Sequence, residues 1–244
     1  MHELLENIFR TKQFINSNDQ KVDVHSETSR EQCAYLQQLI SRHHFKHSLE
    51  IGFAFGISTL AIMEEIIKNG GTHLVIDKFQ HEHWKGHGLD LVKQAGYQSR
   101  LEFREEFCYK VLPALLEKPE RFDFVYIDST KQLDWLLVDF FYIDKLLSIG
   151  GIIVFDDVNF PGIRKLLRYI SQFPNYKVHS CHPGNAKLSA SRSIASFLKY
   201  LPVSRKYIKE EILVSDAALG INAGAVALQK TGEDLRNWDW HTSF

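Results

Sequence analysis

Ser48-Leu49-Glu50-Ile51-Gly52-Phe53-Ala54-Phe55-Gly56-Ile57-Ser58-Thr59-Leu60 holds the key to the architecture. Ser48 to Ile51 is a short apolar run of the kind a buried strand presents. Gly52 and Gly56 permit a tight backbone path, and the Ser58-Thr59 hydroxyls stand where they can cap an apolar-periodic helix from Leu60 to Ile67. Strand, glycine loop and helix make the entry unit of a doubly wound α/β domain, whose ligands sit at the carboxyl ends of the strands. Glycine is needed there because a ligand approaches the main chain more closely than a Cβ permits.

The spacing Gly-x-x-x-Gly is not the dinucleotide fingerprint Gly-x-Gly-x-x-Gly. Glu50 would also oppose a pyrophosphate, whereas a carboxylate suits a ligand carrying an ammonium or sulfonium group. Leu49 to Gly56 resembles motif I of the class I S-adenosylmethionine-dependent methyltransferases, with Ala54 in place of the motif's central glycine, a change the O-methyltransferase branch tolerates. The resemblance implies cofactor contacts from Glu50, Gly52, Phe53, Ala54, Gly56 and Ser58, with Glu50 holding the amino-acid end. A tight strand-to-helix turn without a ligand is the alternative.

A chain of 244 residues fits one large domain or a domain with an insertion. Its 44% hydrophobic and 24% charged content is that of a soluble globular protein, and a net charge of -1 supplies no field to draw nucleic acid or an anionic membrane. Cys33, Cys108 and Cys181 are odd in number and widely spaced, which argues against a disulfide framework. No run reaches the length of a membrane span, and Met1 to Glu6 lacks a basic-then-apolar signal pattern, so a cytoplasmic protein is expected.

Taken in order, Leu4 to Phe14 reads as an outer helix and Asn16 to Asp23 as a linker. Thr28-Ser29-Arg30-Glu31 reads as a capping box for a helix over Gln32 to Ile40. After the glycine loop come a strand at Thr72 to Asp77, a helix over His81 to Ala95 stopped by Gly96, and a strand at Leu101 to Phe103. A helix over Cys108 to Leu116, interrupted at Pro113, leads to a strand at Phe122 to Asp128 and a helix over Gln132 to Leu147. Ile152 to Asp156 is the next strand, and Pro161 opens a helix over Ile163 to Ile170. Tyr176 to Ser180 and Ala223 to Gln229 supply two final strands.

The expectation is a Rossmann-like, doubly wound, seven-stranded and mostly parallel sheet with helices on both faces. It forms a single domain: a helical cap over 1–47, a core over 48–180, an inserted lid over 181–211, and a last strand and tail over 212–244. The insertion carries Lys187, Arg192, Lys199, Arg205, Lys206 and Lys209, a solvated excursion or a basic docking surface. Trp238-Asp239-Trp240-His241 suggests a tail anchored by aromatics.

Asp77 ends the second core strand, beside Lys78, where a carboxylate can accept both hydroxyls of a ribose. Capping of the next segment is the plainer role for such an acid. Asp128-Ser129-Thr130-Lys131 and Asp156-Asp157-Val158-Asn159-Phe160-Pro161-Gly162 each follow an apolar strand, so three carboxylates are expected at one sheet edge. A hard divalent cation such as Mg²⁺ would relieve their repulsion. Helix capping for the acids and a surface position for the lysine are the bland readings.

Those two segments are similar to the cation-dependent, catechol-type O-methyltransferases, and the likeness spans residues 28 to 170. It implies Asp128, Asp156 and Asp157 as metal ligands, Asp128 also on the cofactor side, and Lys131 as the general base. Asp157 stands where catechol enzymes have asparagine. After the third strand the family's turn beside the adenine is not recognisable, and Glu106 or Phe107 takes its place. The acceptor is then a small hydroxylated molecule, and homodimerisation through the N-terminal helices follows by analogy.

Two rivals stay open: a nucleotide-dependent oxidoreductase on the same fold, and a non-catalytic interaction module. His81, His83 and His87 invite a zinc reading, with His83 and His87 at i, i+4. No His-Glu-x-x-His motif accompanies them, so solvated histidines are expected. No Gly-x-Ser-x-Gly elbow supports a hydrolase.

Overall fold

The computed structural model describes residues 1–25, 28–184 and 214–242. The inserted segment expected over 181–211, with all six of its basic residues, lies almost wholly outside the described residues. The chain gathers into two compact units, Met1–Ser129 with Tyr142–Ser148, and Thr130–Phe141 with Ile149–Phe244. The architecture is α/β, with a seven-stranded central sheet flanked by helices.

The first unit begins with α1 (Glu3–Thr11) and an antiparallel hairpin of β1 (Gln13–Ile15) and β2 (Lys21–Asp23), followed by α2 (Arg30–His43). The hairpin replaces the expected linker. Asn16 Oδ1 accepts from the N–H groups of Asn18 (3.0 Å) and Gln20 (2.9 Å), and Asp19 adopts a φ of 58°, so side-chain bonding closes a turn between three-residue strands. Ser29, not Thr28, caps α2, its Oγ accepting from Gln32 N at 3.2 Å.

Then come β3 (His47–Ile51), α3 (Ile57–Lys68), β4 (Thr72–Ile76), α4 (His87–Gln94), β5 (Leu101–Arg104), α5 (Cys108–Leu116) and β6 (Phe122–Ile127). The four strands are parallel, in the order β5-β4-β3-β6, with Leu49 opposite Leu74 on one side and Val125 on the other. The chain builds outward from β3 to β5 and then returns to place β6 on β3's other side. The carboxyl ends of β3 and β6 therefore flank the point where strand order reverses, the usual ligand crevice of such sheets. α3 is buried nearly all round, from Ile57 to Glu64 and again at Ile66, which marks an interior helix. Each such Leu or Ile contributes roughly 1.5–3 kcal/mol on burial.

The helix expected over 81–95 is shorter. Residues 78–86 are turns, ended by Lys85 at φ 52° and Gly86 at φ 73°, and α4 starts only at His87. His83 and His87 therefore do not share a helix face. His83 stacks on Phe79 (4.6 Å between centroids), His81 Nδ1 lies 2.6 Å from Glu105 Oε2, and His87 stacks on Phe55 (6.1 Å).

α6 (Leu133–Leu146) and β7 (Leu147–Phe155) divide their residues between the units. In the second unit β7 pairs antiparallel with β9 (Ala225–Lys230), which pairs antiparallel with β8 (Tyr176–His182) across an irregularity between Val178 and Ser180. α7 (Pro161–Ile170) buries Ile163, Leu166, Leu167 and Ile170, an i, i+3, i+4, i+7 stripe. In the tail, Trp240 packs on Phe173 at 5.3 Å and the Arg236 guanidinium lies 3.4 Å over that same ring, whereas Trp238 is 97% exposed. Only one of the two expected tail tryptophans is an anchor.

Candidate functional site

The glycine loop is held by its backbone. Gly52 N donates to Ile76 O (3.0 Å), Asp128 N to Ile51 O (3.0 Å) and Gly56 N to Phe53 O (2.7 Å), tying the ends of β3, β4 and β6 together. Gly52 has a φ of 100°, and a Cβ on it would fall 2.0 Å from the Asp128 carbonyl oxygen. No other residue fits. Phe53 and Phe55 are 2% and 5% exposed and enter two different hydrophobic clusters, one with Met63, Val75 and Val92, the other with Leu5, Ile8, Leu60 and Leu91. Phe53 can thus offer a ligand only its main chain. Ala54 takes a φ of 47°, left-handed like the glycine it replaces.

That turn at Ala54 directs two successive N–H groups at one carboxylate. Asp77 Oδ2 accepts from Phe53 N (2.9 Å) and Ala54 N (3.2 Å), and Oδ1 accepts from Phe79 N (2.8 Å). A carboxylate offers about four lone-pair positions. Three are filled, so the expectation that Asp77 accepts both ribose hydroxyls is reduced here to about one, unless the loop bonds open. Gln80, fully buried, completes the clamp: its Nε2 donates to Ala54 O (2.9 Å) and its Oε1 accepts from Gly88 N (3.0 Å). Gly88 is needed because a Cβ there would lie 2.9 Å from Ala54 O.

Glu50 lies under the loop, wholly unexposed. Its carboxylate accepts from Ser58 Oγ (2.5 Å) and Thr59 Oγ1 (2.6 Å), with His73 Nε2 at 3.0 Å. Two expectations change. Ser58 and Thr59 do not cap α3, whose N-cap is Gly56 at φ 78°, because their hydroxyls are taken by Glu50. Glu50 in turn faces the interior, so any service to a cofactor's amino-acid end passes through the loop it braces.

A hollow of about 30 Å³ opens at this edge, lined by Thr28, Gly52, Phe53, Ala54, Phe55, Ile57, Ser58 and Asp128. A larger cleft of about 600 Å³ lies at the opposite edge, where β3, β4, β5 and β6 begin, between residues such as Ser48, Arg100 and Arg121. Size favours the second and chemistry the first, since only the first combines a close-approach glycine with strand-end carboxylates. Farther along, Phe107 meets Phe79 edge-on at 6.0 Å and stacks on Tyr109 at 5.3 Å, an aromatic corner past β5. Glu106 is held below the usual carboxylate range by the Phe107 N–H and then by Lys110, with Lys78 contributing to its field.

In the second unit Lys131 Nζ lies 2.8 Å from Asp157 Oδ2. Asp157 sits at a φ of 54°, and its N–H donates to Asp156 Oδ1 at 2.7 Å. Gly162 follows on α7, and a Cβ there would fall 2.2 Å from the Lys131 carbonyl oxygen, so glycine at 162 lets the helix start against that stretch of chain, with Pro161 suited to the first helical position. The expected carboxylate cage is not seen: among the described residues no three His, Cys, Asp or Glu side chains gather so as to hold a metal ion. The added charge of Asp157 instead meets the Lys131 ammonium.

Residues 49–158 match the family model described as a methyltransferase domain. The chain is 29% identical over 157 residues to caffeoyl-CoA O-methyltransferase 1 of Eucalyptus globulus, covering 60% of this chain and 62% of the relative, and 28% identical over 159 residues to the caffeoyl-CoA O-methyltransferase of Medicago sativa. It spans about three fifths of the length of these curated relatives. Its fold matches an O-methyltransferase of Bacillus cereus solved with SAH (TM-score 0.60, 23% identity, 73% of this chain and 83% of that one). It also matches an O-methyltransferase of Streptomyces achromogenes involved in tomaymycin synthesis, solved with SAM (TM-score 0.64, 17% identity, 95% and 91%). The chain resembles the S-adenosylmethionine-dependent O-methyltransferases in sequence and in fold.

With that methyltransferase likeness in place, the residues missed by reading the sequence are His73, Gln80 and Gly88. Each acts through a contact with a distant part of the chain. Their only local sign is polarity or smallness inside an apolar context, such as a histidine near the start of a buried strand.

Proposed function

We propose that this protein transfers the methyl group of S-adenosylmethionine to a hydroxyl of a small acceptor. The observation that carries the reading is the Gly52–Gly56 loop at the point where strand order reverses, with Asp77 and Asp128 at the neighbouring strand ends. The Gly52 backbone, bare of a Cβ, receives the cofactor's amino-acid end. Asp77 and Lys78 serve the ribose side, and Glu106 with the Phe107–Phe79 corner serves the adenine. Asp128 faces the cofactor from β6, while Glu50 and Ser58 brace the loop.

In the transfer, the acceptor oxygen forms a bond to the methyl carbon as the sulfonium–carbon bond breaks, leaving S-adenosylhomocysteine. The hydroxyl proton passes to Lys131 Nζ. Lys131 as described is paired with Asp157 as an ammonium, so it takes up that task in its neutral form, once the pair has opened and Nζ has released its own proton to water. Asp156 and Asp157 are adjacent hard oxygen donors in the second unit, the right kind to hold a divalent cation such as Mg²⁺. When bound, the cation lowers the acceptor hydroxyl's pKa and orients it.

Calorimetry with S-adenosylhomocysteine and NAD tests the first claim. Binding of the former alone is expected, and binding of NAD alone would replace the reading with an oxidoreductase. A methyl-transfer screen over hydroxylated acceptors, with Mg²⁺ or with EDTA, tests the second. Lys131→Ala is expected to keep S-adenosylhomocysteine binding and lower turnover by about a hundred- to ten-thousand-fold. Full turnover of that variant would remove Lys131 from the mechanism, and full turnover in EDTA would remove the cation.

A further inference from the structure

Beneath the glycine loop Glu50 belongs to a chain of polar side chains whose members His73 and Ser48 the chemistry above does not use. Glu50 has no exposed surface, and His73 and Ser48 are each 1% exposed. His73 Nε2 stands 3.0 Å from Glu50 Oε2, and His73 Nδ1 stands 2.7 Å from Ser48 Oγ. The tautomer that carries its proton on Nε2 donates to Glu50. Its Nδ1 then accepts from the Ser48 hydroxyl. Glu50 gains its other donors from Ser58 and Thr59, in the first turn of α3.

Three donors on one buried carboxylate fasten the end of β3 to the helix beyond the loop and to the strand beside it. That neighbouring strand is β4, whose register sets His73 opposite Ser48. The residue that follows β4, Asp77, accepts from the loop's own Phe53 and Ala54 N–H groups. One strand thus grips the loop twice, from below through His73 and Glu50 and from the side through Asp77. A buried carboxylate deprived of one donor would turn toward another or admit water, and the residues it fastens would move with it.

We propose that His73 is a positioning residue for cofactor binding, acting through Glu50 to hold the Gly52–Gly56 loop and the first turn of α3 in the shape the cofactor requires. This rests on reading that loop as the S-adenosylmethionine site. Two amide replacements in the full chain separate the contacts. The amide nitrogen of His73→Gln lies as many bonds from Cα as Nε2 does and keeps a donor on Glu50. In His73→Asn the amide oxygen stands where Nδ1 did, so the side chain still accepts from Ser48 and abandons Glu50.

Both variants are titrated with S-adenosylhomocysteine and melted in parallel. The Asn variant is expected to bind about tenfold more weakly than wild type and the Gln variant within about twofold, since a hydrogen bond to a charged group is at stake in one only. Equal affinities in the two variants, whether both near wild type or both reduced in step with melting temperature, would overturn the positioning role. A wild-type chain that binds no S-adenosylhomocysteine would overturn the reading beneath it as well.

Discussion

Gly52 and Ala54 share a left-handed loop, yet a methyl group means different things at each. At Gly52 the added Cβ would lie 2.0 Å from main-chain oxygen at a φ of 100°, so the backbone itself must move. Gly52→Ala is expected to abolish S-adenosylhomocysteine binding in calorimetry and to lower stability by roughly 2–4 kcal/mol in urea titration. Ala54→Gly instead relieves a strained φ of 47° while loosening the unfolded chain, so its stability should stay within about 1 kcal/mol of wild type. Asp139 on α6 is a different kind of residue. It is 3% exposed, and burial pushes its carboxyl up to about 7. Below the ordinary carboxylate value the group is protonated folded or unfolded and makes no difference. As pH rises toward 7 the unfolded chain ionises first, so stability falls, and above 7 the full penalty is in place. That interval corresponds to on the order of 4 kcal/mol, an upper bound where water can reach the group. Asp139→Asn should therefore raise the urea midpoint several times more at pH 8 than at pH 4.5, where only about 1 kcal/mol of the penalty has built up; equal gains at both would exclude ionisation as the cause. Glycines and strand-end acids such as Gly52, Asp77 and Asp128 were legible from sequence because their constraint is local. His73 and Gln80 were not, since a buried polar side chain reveals its partner only after folding.

Helices and strands were legible where one local signal dominated. α5 runs over Cys108–Leu116 as its apolar spacing predicts, though it continues through Pro113 where an interruption was expected, and α7 begins at the proline suited to a first helical position. The misreadings fell where short turns interrupt a periodic pattern. Lys85 and Gly86 break the 81–95 run with positive φ, and the β1–β2 hairpin is too short to show alternation. Gly162 at the start of α7 carries a test of its own. Alanine in a helix interior is ordinarily better than glycine by about 1 kcal/mol. Here its Cβ would press 2.2 Å from the Lys131 carbonyl oxygen, displacing the chain that carries the proposed base. Gly162→Ala should lower methyl-transfer turnover by at least about tenfold while S-adenosylhomocysteine affinity is retained, because the cofactor loop lies in other elements. A turnover unchanged from wild type would mean that Lys131 need not be held where α7 puts it.

At the scale of the whole chain, the strand–helix alternation over 48–170 carried the α/β class into view, because parallel strands covered on both faces read as uninterrupted apolar runs. The antiparallel pairing of β9 with β7 and β8 was not visible, as burial of Ala225 to Leu228 looks the same whichever direction the neighbour runs. Nor does any helix among the described residues have the length and apolarity to cross a membrane. The loop's phenylalanines couple ligand binding to this scale: Phe53 and Phe55 belong to two hydrophobic clusters that reach α1, α3 and α4. A ligand that holds the loop must therefore hold those clusters against unfolding. Binding to the folded state alone adds about 2.7 kcal/mol at a ligand concentration a hundred times Kd. For a chain of this length each kcal/mol moves the melting temperature by roughly 2–4 °C. Saturating S-adenosylhomocysteine should thus raise the melting temperature by roughly 5–10 °C, and the rise should grow with the logarithm of its concentration. NAD at the same concentration should leave it unchanged. The Gly52→Ala variant supplies the control, since a rise that persists when the loop can no longer receive the ligand would locate the binding elsewhere in the molecule.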